Sequence, residues 1–138
     1  MRRFCFLIAF FVLAFVPLFA QTEDALSAPE ISIPVFTLDI GSTPFNPDST
    51  YLYKFPYHNV GTAPLLIIKA ISRCPCISVS FPDSPLPPGQ VDTIYVHFKP
   101  TRAGKFTQRV AVISNASEYP LLQLYAKATF LKSSPDKE

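Results

Sequence analysis

The chain has 138 residues, 49% of them hydrophobic and only 16% charged, with fifteen prolines, four glycines and no tryptophan. That length suits one domain with its own core. Twelve Lys and Arg against ten Asp and Glu leave a formal charge of +2, short of the strongly basic balance expected of a nucleic-acid binder.

The first element is a targeting signal. Arg2 and Arg3 form a positive start, Phe4 to Phe15 an uncharged apolar run, and Leu18-Phe19-Ala20 ends on a small residue suited to signal-peptidase cleavage. The run is short for a membrane span. Residues 1–20 therefore read as a signal peptide with a mature start at or near Gln21; retention as an N-terminal anchor is the alternative. Cys5 lies at the start of the apolar run, where a lipid-bearing cysteine is not expected. Cleavage removes Arg2, Arg3 and Cys5, leaving a formally neutral chain with two cysteines, Cys74 and Cys76, in a compartment where thiols pair. The expected location is periplasmic, outer-envelope associated or secreted, with no membrane span in the mature chain.

Residues 21–29 are polar and aperiodic and read as a flexible linker, residues 30–131 as the folded domain, and residues 132–138 as a flexible tail. Within the domain the apolar period is two. A first strand is expected near Ile31 to Ile40, with Pro34 marking an edge or a bulge because it lacks a backbone donor. Tyr51, Tyr53, Phe55 and Tyr57 share one face of the next strand, either as core or as an interaction face; clean alternation favours core. Leu65 to Ile71 is an apolar run broken by Lys69 and Ala70, and Cys76 to Phe81 is a short strand. Ile94, Val96 and Phe98 alternate with Thr93, Tyr95 and His97; Phe106, Val110 and Val112 mark another strand, and Leu122 to Phe130 the last. No helical period appears, and Pro and Gly punctuate the connections, as in Pro87-Pro88-Gly89, where Pro88 fixes φ and Gly89 accepts a positive φ. The fold class is all-β, about seven strands in two packed sheets; a barrel is the alternative.

The order Phe55-x-Tyr57-x-Asn59-x-Gly61-x-x-Pro64-Leu65, Cys74-x-Cys76, Pro88-Gly89, Ile94-x-Val96-x-Phe98, Gly104-x-Phe106 and Ser114-Asn115 resembles the secreted bacterial domain of unknown function 1573 family. The resemblance spans roughly residues 35–130 and implies an immunoglobulin-like sandwich related to major sperm protein and to domains of cilium and centrosome proteins. The family's usual Ser-Cys-Gly-Cys stands here as Arg73-Cys74-Pro75-Cys76, and Pro75 restricts the backbone between the sulfurs.

Three readings of Cys74 and Cys76 remain open: a local disulfide, a metal site completed by His58 or His97, or reduced thiols that await a partner. Catalysis has little support beyond a thiol–disulfide oxidoreductase built on Cys74 and Cys76, for which a thioredoxin-like βαβ pattern is missing. There is no Gly-x-Ser-x-Gly, His-Glu-x-x-His or glycine-rich phosphate loop, and Asp39, Asp48, Asp83 and Asp92 fall at turns and strand ends. No cofactor motif is present. The loop carrying Pro82, Pro85, Pro87 and Pro88 is either a rigid recognition loop or a stiff hairpin connection. Asp48-Ser49-Thr50 matches a short bacterial O-glycosylation motif at Ser49, and Asn115-Ala116-Ser117 is an N-glycosylation sequon. The sequence thus points to a non-catalytic module that binds a protein or an envelope component; the alternative is a thiol-based redox or metal-handling protein built on Cys74 and Cys76.

Overall fold

The computed structural model describes residues 27–132. The segments expected as signal peptide, as linker up to residue 26 and as tail from residue 133 lie outside the described residues. Alternating apolar positions produce eight strands: β1 (Ile31–Ser32), β2 (Thr37–Pro44), β3 (Tyr51–Asn59), β4 (Ile67–Ser72), β5 (Ile77–Ser80), β6 (Val91–Phe98), β7 (Gly104–Ser114) and β8 (Leu121–Leu131). They form two four-stranded sheets, in the orders β1-β3-β6-β5 and β2-β8-β7-β4.

The expected first strand is two strands in different sheets. β1 pairs antiparallel with β3, whereas β2 pairs in parallel with β8. The chain changes sheet between Ile33 and Phe36, around Pro34, whose missing N–H suits a break in pairing. This division turns the expected seven strands into eight.

The sheets bury their facing sides. Tyr53, Phe55 and Tyr57 from β3 and Ile94, Val96 and Phe98 from β6 meet Val110 and Val112 from β7 and Leu124, Ala126, Ala128 and Phe130 from β8. The aromatic row of β3 is therefore core, with Tyr51 half-buried at its end. Each fully buried side chain of this size contributes about 1.5–3 kcal/mol. The run Leu65 to Ile71 divides instead: Leu65 and Ile67 are buried, whereas Ile68 and Ile71 are exposed, because β4 is an edge strand whose register shifts between Ile67 and Lys69.

Asn59 organises one pole of the sandwich. Its buried Nδ2 donates to the carbonyls of Ala63 and Leu86, each at 2.8 Å, while its Oδ1 accepts from Gly61 N at 3.0 Å. Its backbone takes part as well: Asn59 N donates to Gln90 O and Gly89 N donates to Asn59 O. Gln90 N donates to Pro87 O at 3.2 Å, which closes a turn with Pro88 second and Gly89, φ 76°, third. Gly61 lies beneath the entering chain, where a Cβ would collide with the backbone of Ala28 to Glu30. The end of the segment expected as a linker is thus held, with Ala28 O accepting from Thr62 N and Ser117 N donating to Pro29 O. Asn115 completes the pole, its Oδ1 accepting from Leu66 N at 2.8 Å and its Nδ2 donating to Pro64 O at 3.2 Å; the sequon asparagine is occupied in structure.

A hydrogen bond also crosses between the sheets. Tyr53 Oη donates to Lys127 O at 2.9 Å, and Lys127 stands opposite Asp39, where the register of β2 shifts. Burial, then the charge of Asp39 and the neighbouring Tyr51, push the Tyr53 hydroxyl up to about 12.

Two outcomes test this account. In Asn59→Asp, a carboxylate replaces an amide donor facing two carbonyls, so denaturant unfolding is expected to show a loss of about 3 kcal/mol or more, exceeding that of Asn59→Ala. Tyr53→Phe is expected to cost about 1 kcal/mol near neutral pH. The folded-state value of Tyr53 lies above its unfolded one, so its contribution is complete below pH 10 and declines towards pH 12. Tyr53→Phe then flattens the alkaline fall in stability; an unchanged pH profile contradicts the assignment.

Candidate functional site

The connections of the sandwich gather at two poles. Asn59 holds one pole, with the segments 60–66, 81–90 and 115–120; the other joins β2 to β3, β4 to β5 and β6 to β7. Cys74 and Cys76 lie at the second pole, in the step from β4 to β5.

Their geometry is local. The two Sγ atoms lie at disulfide-bonding distance, with Cα atoms 5.1 Å apart, inside the range a disulfide spans. Pro75 occupies the second position of a turn closed by Ile77 N donating to Cys74 O at 3.1 Å. Cys76 N points at Cys74 Sγ at 3.2 Å, and Ser72 Oγ accepts from Cys74 N at 3.3 Å. Lys99 N donates to Cys76 O at 2.9 Å and so ties this turn to the connection after β6.

Beside the pair opens a groove of about 420 Å³ lined by Pro47, Pro75, Cys76, Lys99, Pro100 and Thr101. Its walls come from all three connections. At the same pole the core holds an aromatic cluster: the Phe130 ring centroid lies 4.9 Å from Tyr51, 5.7 Å from Phe98 and 5.7 Å from Phe106. Proline walls lose no side-chain rotamer freedom on binding.

The other residues singled out in the sequence do not join this site. His58 pairs with Ser32 and Val91, at the opposite pole. His97 belongs to the outer face of β6 and meets Ser80 Oγ at 3.4 Å. Among the described residues no three His, Cys, Asp or Glu side chains gather as a metal site, so neither histidine joins the cysteine pair. Pro82, Pro85, Pro87 and Pro88 also lie at the Asn59 pole. Their loop is anchored by buried Leu86, which exchanges backbone hydrogen bonds with Leu65 at 2.7 and 2.9 Å. Ser49 is half-buried, just after the Asn46–Ser49 turn of the β2–β3 connection, on the groove side. The contributions of Pro47, Lys99 and Thr101 have no local sequence signature, and only the strand-ending Pro100 marks their neighbourhood.

The sheet edges are blunted. β1 has two residues and β5 four, while β2 and β4 carry register shifts and β4 adds Lys69. Such edges discourage the addition of a further strand.

Two antiparallel-rich sheets packed face to face, without a helix among the described residues, define a sandwich of the immunoglobulin type. The chain belongs to the family described as protein of unknown function (DUF1573), whose model matches residues 32–130. No curated protein matches it. Among solved structures it is similar to a protein of unknown function from Porphyromonas gingivalis W83, with TM-score 0.66 and 20% identity over 79% of this chain and 51% of that one. This chain thus spans about half the length of that protein. It is also similar to the ASH/PapD-like domain 7 of human CEP192, with TM-score 0.62 and 14% identity over 78% and 89% of the two chains. The periplasmic chaperone SfaE matches with TM-score 0.55 and 6% identity over 76% of this chain and 60% of that chain.

A disulfide enclosing so few residues removes little unfolded-state entropy. The Cys74→Ser, Cys76→Ser double variant is expected to lose at most about 1.5 kcal/mol in denaturant unfolding. A loss several times larger shows that the pair supports the whole fold.

Proposed function

We propose that this protein is an exported, non-catalytic binding module whose binding face is the Cys74–Cys76 pole. The observation that carries the reading is the groove: a concave surface with rigid proline walls and a tight Cys74–Ile77 turn, beside blunted sheet edges. Concavity with little ordering cost on binding favours recognition. The SfaE neighbour is a periplasmic chaperone by name, a precedent for protein binding on a related sandwich. Export is supported by the pattern of residues 1–20 and by the paired thiols. Among the described residues no helix is long and apolar enough to cross a membrane.

The test places a photo-crosslinking side chain at Thr101 in the groove, and separately at Ser84 on the opposite pole, in cells of the native host. The expected result is a discrete adduct from Thr101, none from Ser84, and retention of the Thr101 adduct in the Cys74→Ser, Cys76→Ser variant. Equal labelling from both poles, or none, overturns the reading. Loss of the adduct only in the cysteine variant transfers the role to thiol chemistry.

A further inference from the structure

The described charges are segregated between the poles. The connections at the Asn59 pole, residues 27–30, 60–66, 81–90 and 115–120, hold Glu30, Asp83 and Glu118 and no Lys or Arg. The connections at the groove pole hold Arg73, Lys99 and Arg102, with Lys105 and Lys132 immediately beside them and Asp48 as the one carboxylate.

The basic groups at the groove are also placed. Arg102 Cζ lies 5.3 Å from the centroid of the Phe106 ring, one of the aromatic cluster at this pole. A Cβ at Gly104 would come within 3.3 Å of Arg102 Nη1, so glycine leaves the guanidinium room to fold back over that ring. Lys99 is both a groove wall and a cation, and Arg73 precedes the Cys74–Ile77 turn. Proline and cysteine walls with Lys99 among them, and Arg73 and Arg102 in the connections that supply those walls, fit a ligand that has an apolar side chain and flanking negative charge.

We propose that this pole docks an acidic segment of a partner polypeptide, with carboxylates against Arg73, Lys99 and Arg102 and one apolar side chain between Pro47, Pro75 and Pro100. The inference rests on the binding-module reading and adds the chemical class of the partner. Charge complementarity selects acidic over basic segments and accelerates encounter. The groove lining contains no aromatic ring to stack a sugar, which favours a polypeptide over an anionic polysaccharide.

The experiment is calorimetric titration of the purified protein with a short synthetic peptide carrying one Phe between runs of Glu, and with its Lys counterpart. The Glu peptide is expected to bind and the Lys peptide not. Affinity is expected to fall about tenfold in Arg73→Glu, Lys99→Glu and by a similar factor between about 0.05 and 0.5 M salt. Asp83→Lys, Glu118→Lys, at the far pole, is expected to leave it unchanged. All four positions are exposed, and unchanged thermal unfolding of each variant confirms that folding is intact. Equal binding of both peptides, or indifference to Arg73→Glu, Lys99→Glu, overturns the proposal. So does stronger binding of inorganic polyphosphate or of phosphatidylglycerol vesicles, which makes the pole a phosphate or membrane surface. If the Glu peptide fails while the Thr101 adduct persists, the partner class is wrong and the binding module stands; if both fail, both readings fall.

Discussion

The side-chain amide of Asn59 is the constraint around which one half of the molecule is arranged. A buried amide presents two donors and an acceptor, and leaving any of them unmet costs more than a typical hydrogen bond returns. Here each has a backbone partner: Ala63 and Leu86 accept, and Gly61 donates. The turn that follows β3 and the distant connection around Leu86 are therefore both fixed relative to the end of β3. Asn115 repeats the device on the other sheet, where it holds Pro64 and Leu66. Gly61 belongs to the same arrangement, since the entering chain can approach the turn only where there is no side chain.

The opposite pole is stiffened differently. Its connections carry prolines and the Cys74–Cys76 pair, whose sulfurs lie at disulfide-bonding distance, and its core holds a cluster of packed rings. Hydrogen bonding at the Asn59 pole ties a buried amide to the backbone of the connections around it. Proline and disulfide rigidify without occupying outward-facing donors or charges. The two ends of one small sandwich are thus equipped for different tasks, one for closure and the other for contact.

Much of the fold is legible in the sequence because a strand reports its own burial. The alternations in β3, β6 and β8 correspond directly to the core, and Pro88-Gly89 to the turn they specify. What the period cannot report is the pairing partner. Ile31, Ile33 and Leu38 look like parts of one strand, yet the hydrogen bonds change sheet at Pro34. The same limit applies to Ile68 and Ile71, whose exposure follows from a register shift and an edge position rather than from their own character. The cysteine pair is legible because two residues separated by one are held close by the chain itself. The groove is not, since Pro47, Cys76 and Pro100 meet only once three separate connections share a pole. For the same reason His58, which has suitable chemistry for a ligand, lies at the wrong end of its strand.

The parallel pairing of β2 with β8 also has a mechanical meaning. The chain enters β2 at the Asn59 pole and leaves β8 at the groove pole, so tension between these two ends runs along both strands in opposite senses. The registered pairs from Thr37↔Tyr125 to Pro44↔Leu131 then carry load together in shear, rather than opening one after another as in a hairpin pulled from its free ends. A domain with this terminal geometry can transmit a pull between whatever is attached at either end while its groove keeps its shape.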